Sequence, residues 1–141
     1  MASKNGRPRG SVTVEEFAKP LWGNTTPLDH QFSYFANGVN IQDEDLKDYL
    51  QEPIAALPPA VRQRLGVVHV VFVPYLAMAE GGRVMVTDEQ PAKDDAIAAA
   101  RVERVDQQGT MLLFAMQEPN LGDLHYHFFR WVGRLVVDLT D

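Results

Sequence analysis

The sequence predicts an α+β fold. It consists of a mainly antiparallel sheet of four or five strands, covered by a helical hairpin at about 43–65 and a long C-terminal helix at about 120–139. Three observations carry this expectation. Strand-like runs follow one another between residues 67 and 117. The segment after residue 120 repeats apolar side chains at helical spacing. The segment before the strands carries the acidic starts and the proline and glycine stops of short helices.

Taken in order, residues 1–12 read as a flexible arm, broken by Gly6, Pro8 and Gly10. Residues 13–42 hold Phe17, Leu21, Trp22, Phe32, Tyr34 and Phe35, too much aromatic surface to leave in water. "QFSYF" alternates like a short strand and "ANGV" supplies a turn, so the region reads as irregular chain plus a short strand draped over the domain. In "DEDLKDYLQEPIAAL", Asp43 is the expected N-cap, and Leu46, Tyr49 and Leu50 form a stripe at helical spacing. Pro53 ends or kinks this helix. A second helix starts at Pro59 and stops at Gly66.

The first strand run, "VVHVVFVPYL" (67–76), and the fourth, "TMLLFAMQ" (110–117), are apolar on both alternating faces. The second, "RVMVTDE" (83–89), and the third, "AARVERVD" (99–106), are more polar. Gly81-Gly82 and "DQQG" make hairpins of the first and last pairs. Strands apolar on both faces belong inside a sheet and charged ones at its edges, which predicts the core order 2-1-4-3. "QPAKDDAIAAA" allows one or two helical turns between the hairpins. Such a sheet needs two covers, the C-terminal helix on one side and the helical hairpin with the aromatic N-terminal region on the other. In layers alone this resembles the profilin-like or roadblock-type arrangement, an outline that implies no function.

The C-terminal helix has Asn120 as N-cap, Asp123 as its reciprocal partner and Pro119 outside. At about 100° per residue, Leu121, Leu124, Phe128, Trp131, Val132, Leu135, Val136 and Leu139 share one apolar arc of roughly 140°. His125 lies within that arc. His127 lies opposite, with Asp123, Arg130 and Arg134. Two residues on a helix are about 200° apart, so this H-x-H cannot chelate one metal; helical pairs need i, i+3 or i, i+4.

The chain has 141 residues, 45% of them hydrophobic and 23% charged, enough for one core and too short for two. Residues 13–141 therefore read as a single domain. With no cysteine, disulfide frameworks, thiolate zinc sites and cysteine nucleophiles are excluded. No apolar segment follows the basic start, and the longest apolar run is interrupted by Pro74 and falls short of the roughly 20 residues that span a bilayer. A soluble, cytoplasmic protein without membrane association is expected. The net charge is −6, and Lys4, Arg7 and Arg9 leave the remainder still more acidic. An acidic body repels phosphate backbones, so nucleic acid is a disfavoured partner.

No G-x-G-x-x-G, P-loop, EF-hand loop or G-x-S-x-G is present, and no cofactor or metal is expected. Two functions remain. The first is a small acidic protein-interaction domain (adaptor, chaperone-like or regulatory) without catalytic activity, which binds a protein partner and forms a homo-oligomer, most simply a dimer. Its surface would be Asp123, His127, Arg130 and Arg134. The second is a small-molecule- or metal-binding protein, conceivably an enzyme, with a pocket between sheet and C-terminal helix. His69, Tyr75, His125 and Trp131 would line it.

Overall fold

A computed structural model describes residues 11–104, 109–117 and 120–140, with side chains as far as Asp138. The arm expected over 1–12 lies outside the described residues as far as residue 10, as do residues 105–108, which hold most of the "DQQG" turn, and Pro119. Val12–Thr13 (β1) leads into Val14–Ala18 (α1). Thr26–Pro27 (β2), Phe32–Ala36 (β3), Asp43–Ala55 (α2) and Pro59–Leu65 (α3) follow. Next come Val68–Val73 (β4), Tyr75–Met78 (β5), Val84–Thr87 (β6), Ala96–Ile97 (β7), Ala99–Arg104 (β8), Gly109–Ala115 (β9) and the helix Leu121–Thr140 (α4).

The fold is α+β and mainly antiparallel, as expected. The strands form a five-stranded sheet, β2-β3-β4-β9-β8, and a four-stranded one, β1-β6-β5-β7. All three neighbour pairs of the order 2-1-4-3 are present: β5 with β6, β4 with β9, and β9 with β8. The first run, however, is shared between the sheets. It divides at Pro74, which has no N–H to donate and separates β4 from β5. The inner pairs β3–β4 and β4–β9 are parallel. The chain after β3 thus crosses through α2 and α3 before it returns as β4, and the chain after β4 crosses through the second sheet before β9.

Side-chain alternation sorts the two faces of the larger sheet. Phe32, Tyr34, Val68, Val70, Phe72, Leu112 and Phe114 point to one face and pack with Leu46, Leu50 and Leu65 of the hairpin and with Leu124, Phe128 and Val132 of α4. Val71, Val73, Met111 and Leu113 point to the other and pack with Val14, Ala18 and Leu21, and with Leu76 and Val86 of the second sheet. The layers are therefore helices, sheet, sheet. The expectation that the helical hairpin covers the face opposite α4 is corrected: both lie on one face, and the N-terminal aromatic segment with the second sheet closes the other.

Residues 13–42 are also more ordered than their sequence suggests. "QFSYF" is β3, an inner strand in which Phe32 and Tyr34 are each 1% exposed. α1 opens with a capping box, Thr13 Oγ1 accepting from the Glu16 N–H at 3.1 Å while the Glu16 carboxylate accepts from the Thr13 N–H, also at 3.1 Å. Asp43 does not cap α2 through its side chain; Gln42 holds that position, and the Asp43 carboxylate accepts instead from the Tyr34 hydroxyl at 2.8 Å. Pro53 lies within α2, buried, and the helix continues to Ala55. α3 begins at Pro59 and stops at Gly66, whose φ of 66° suits only glycine without strain. Gly81 and Gly82 turn the chain from β5 to β6 with φ of 82° and 76°. Between the hairpins the chain makes one short 3-10 turn, Lys93–Asp95. Among the described residues no helix is long and apolar enough to cross a membrane.

Candidate functional site

The side chains expected to line one pocket lie in different places. His69 belongs to the β4 residues that face the N-terminal segment, because it alternates with Val68 and Val70, which face α4. Its Nδ1 is 2.5 Å from Ser33 Oγ and 3.0 Å from Thr25 Oγ1, and the two hydroxyls are 2.7 Å apart. The Trp22 ring meets the imidazole edge-on at 5.4 Å, and the Arg104 guanidinium lies 5.6 Å from the Trp22 ring. Burial, with the Arg104 charge added, holds the His69 imidazole below its ordinary 6.5. A neutral ring with Nδ1 unprotonated accepts one hydroxyl proton, and the second hydroxyl bonds to the first. Ser33 is only 8% exposed. The cluster joins β3, β4 and the approach to β2, and it gives His69 Nδ1 and both hydroxyls partners without any ligand.

His125 is on α4, across the sheet from His69, so the two histidines do not meet; the strand's alternation separates them. The His125 ring is half-buried and edge-on to Phe129 at 6.0 Å, and its Nε2 is buried without a hydrogen-bond partner among the described residues. Trp131 packs partly against the helix-side core, with the Arg134 guanidinium 4.9 Å from its ring. Tyr75 starts β5, past the bend at Pro74. Its hydroxyl donates to Gln117 Oε1 at 3.0 Å, and it borders a cleft of about 480 Å³ with Pro74, Pro91, Lys93, Ile97 and Gln117. That cleft lies just beyond the carboxyl ends of the parallel strands β4 and β9. The pocket expected around His69, Tyr75, His125 and Trp131 is thus replaced by separate environments. Among the described residues, no three His, Asp or Glu side chains come together as a metal site would require.

The residues expected on the outer side of α4 divide as well. Asp123, Arg130 and Arg134 are exposed. Asp123 works at the helix start: its N–H donates to Asn120 Oδ1 at 3.0 Å and its carboxylate accepts from Asn120 Nδ2 at 2.9 Å. Arg130 donates to the Tyr126 hydroxyl at 3.4 Å. His127 is half-buried, its ring 6.4 Å from Phe114 and 5.3 Å from Tyr126. The two histidines flank the buried stripe of Leu124, Phe128, Val132 and Leu135 on opposite sides, as two positions on a helix must.

Beside the charged residues runs a feature that the sequence reading passed over. Tyr126, Phe129 and Val137 are 60%, 40% and 59% exposed. Their spacing, with Gly133 between the last two, is i, i+3, i+7 and i+11, a second apolar stripe on the same helix. It was legible: these are the apolar residues of the helix left outside the main arc. An amphipathic helix needs one such stripe to join its core; this second one stays largely exposed among the described residues.

No family model matches the chain, and neither a curated protein nor a solved structure is similar to it.

Proposed function

We propose that this chain is a non-catalytic protein-interaction domain, of adaptor or regulatory type, and that the outer face of α4 is its recognition surface. The observation that carries this reading is the exposed stripe of Tyr126, Phe129 and Val137 on a helix whose opposite side already holds the core. Aromatic side chains with an arginine nearby are the composition of binding hot spots, and Arg130 and Arg134 border the stripe. A photo-crosslinking residue at position 129, compared with one at the exposed Asp48 on α2, tests it in lysate of the source cell. Adducts at 129 and none at 48 are expected; equal or no labelling overturns the reading.

A second reading rests on the cleft beside Tyr75. Crevices beyond the carboxyl ends of parallel strands are where open sheets bind small molecules, and Tyr75, Gln90, Lys93 and Gln117 are polar groups on an otherwise apolar wall. Thermal shifts against a metabolite panel, abolished by Tyr75→Ala, would favour a ligand-binding protein.

A further inference from the structure

We infer that the partner of the α4 face is a second copy of this chain, packed as an antiparallel helix pair in which Tyr126 of each copy seats on Gly133 of the other. This rests on the reading of α4 as a recognition surface and adds the occupant.

The starting point is Gly133, inside a 20-residue helix. Glycine is the poorest helix-interior residue after proline, so its place here calls for a packing reason. A Cβ at Gly133 meets nothing within 4 Å, so nothing within the described chain requires the missing side chain. At Gly122, one residue into the helix, the same added atom meets only Asn120 Oδ1 at 3.7 Å, an ordinary contact. On the helix surface Gly122, Tyr126, Phe129, Gly133 and Val137 form one row, in which small and large residues alternate.

Two such rows laid antiparallel are complementary. A two-fold axis near residues 129 and 130 brings Tyr126 opposite Gly133 of the other copy. The same operation brings Val137 opposite Gly122, and each contact occurs twice because a two-fold interface is isologous. Phe129 meets its own copy beside the axis. The flanking charges agree. Residues on one flank of an antiparallel pair face that flank of the partner, so Asp123 comes within about 3 Å, measured along the axis, of the partner's Arg134 level, at 1.5 Å per residue. Both side chains are exposed, and pairing across the axis would draw Arg134 from the Trp131 ring and share Asp123 with Asn120. Arg130 is the dissenting group: near the axis its nearest charge is its own copy, which weakens the pair. A single helix pair buries area near or below the roughly 1,200 Å² at the low end of stable interfaces, so the dimer is reversible and concentration-dependent.

Sedimentation equilibrium of the full chain over a wide concentration range tests this, with circular dichroism and thermal melts confirming that each variant's monomer stays folded. The Cβ of Gly133→Gln meets nothing within 4 Å among the described residues and the change improves helix propensity, yet it fills the notch; the dimer should weaken at least tenfold while circular dichroism stays unchanged. Arg130→Gln should strengthen it severalfold, which non-specific hydrophobic association would not do. Arg134→Asp should weaken it, and adding Asp123→Arg should restore it. Because the native chain has no cysteine, Arg130→Cys should give an intermolecular disulfide on mild oxidation. Val137→Cys should not, since its copies lie about 22 Å apart along the axis. A dimer indifferent to Gly133→Gln, or crosslinking at 137 in preference to 130, overturns the proposed pairing. A strict monomer overturns it too. If that monomer still gives adducts from position 129, the recognition function survives with another partner; if it gives none, both fall.

Discussion

Ser33 Oγ lies 2.5 Å from His69 Nδ1, and Ser33 and His69 are register partners on the parallel strands β3 and β4. The hydrogen bond therefore runs sideways between neighbouring strands on the face that the N-terminal segment covers, and Thr25 Oγ1, 3.0 Å from Nδ1, joins that segment to it. Since burial, followed by Arg104, disfavours the charged ring, the folded state binds the His69 proton less readily than the unfolded chain. The sign follows: the His69 contribution to stability is intact above pH 6.5 and is lost as pH falls from there through the lowered folded-state value. Urea unfolding between pH 7.5 and 5 should show declining stability. His69→Asn keeps an acceptor without the titration and should flatten that slope; an unchanged slope would remove His69 as its source.

Tyr34 is 1% exposed and donates to Asp43 at 2.8 Å, linking an inner strand to the first residue of α2. Burial, reinforced by the Asp43 charge, pushes the phenol up to about 12. In a spectrophotometric titration Tyr34 should ionise near this value, and Tyr34→Phe should remove that step. The same variant should cost about 1 kcal/mol, the usual worth of one hydrogen bond with a charged acceptor left partly solvated.

Arg62 joins α3 to the turn before β3. Its guanidinium donates to Asp29 at 2.7 Å and to Gln31 Oε1 at 3.1 Å, and lies 5.3 Å from the Phe32 ring. Asp29 also accepts the N–H groups of Gln31 and Phe32, both at 2.7 Å. Burial raises the carboxyl pKa, but these backbone donors and Arg62 outweigh it and hold Asp29 below 3.8. Stability from Asp29 is thus present above about pH 4 and lost in stronger acid. Asp29→Ala should cost about 2 kcal/mol and Asp29→Asn, which still accepts from the backbone, about half of that. Equal losses in denaturant melts would assign the effect to charge alone.

Among the described residues, His125 Nε2 is buried without a hydrogen-bond partner. An unpaired buried polar atom costs about 1–3 kcal/mol. His125→Leu, of similar bulk, should therefore raise stability by about 1 kcal/mol at pH 7.5. A destabilised variant would show that the imidazole has a role its contacts do not reveal.

Much of the architecture is legible along the chain because it rests on local rules. The apolar arc of α4, the Asn120 cap, the stop at Gly66 and the turn at Gly81-Gly82 each follow from the conformations available to a few consecutive residues. So do three of the strand pairings, although the second run, expected at an edge, is an inner strand between β1 and β5. The N-terminal segment was less legible. The T-x-x-E of Thr13–Glu16 marks a helix start, but α1 spans only Val14–Ala18, too short to display a period. The exposed stripe on α4 was visible as leftover apolar residues, but only the buried neighbours of the main arc show that it stays outside the described core.

The sequence by itself determined the α+β class, the helical hairpin and the C-terminal helix, three of the strand pairings, and the separation of His125 from His127, because two positions on a helix differ by a set angle. Tertiary structure decided that His69 turns away from α4, that both helical elements share one sheet face, and that the first strand run serves two sheets across Pro74. These outcomes depend on crossovers between distant segments. Alternation in β4 says that His69 and Val70 face opposite ways, but which face receives α4 is set by how the chain between parallel strands returns, a non-local choice that local pattern does not encode.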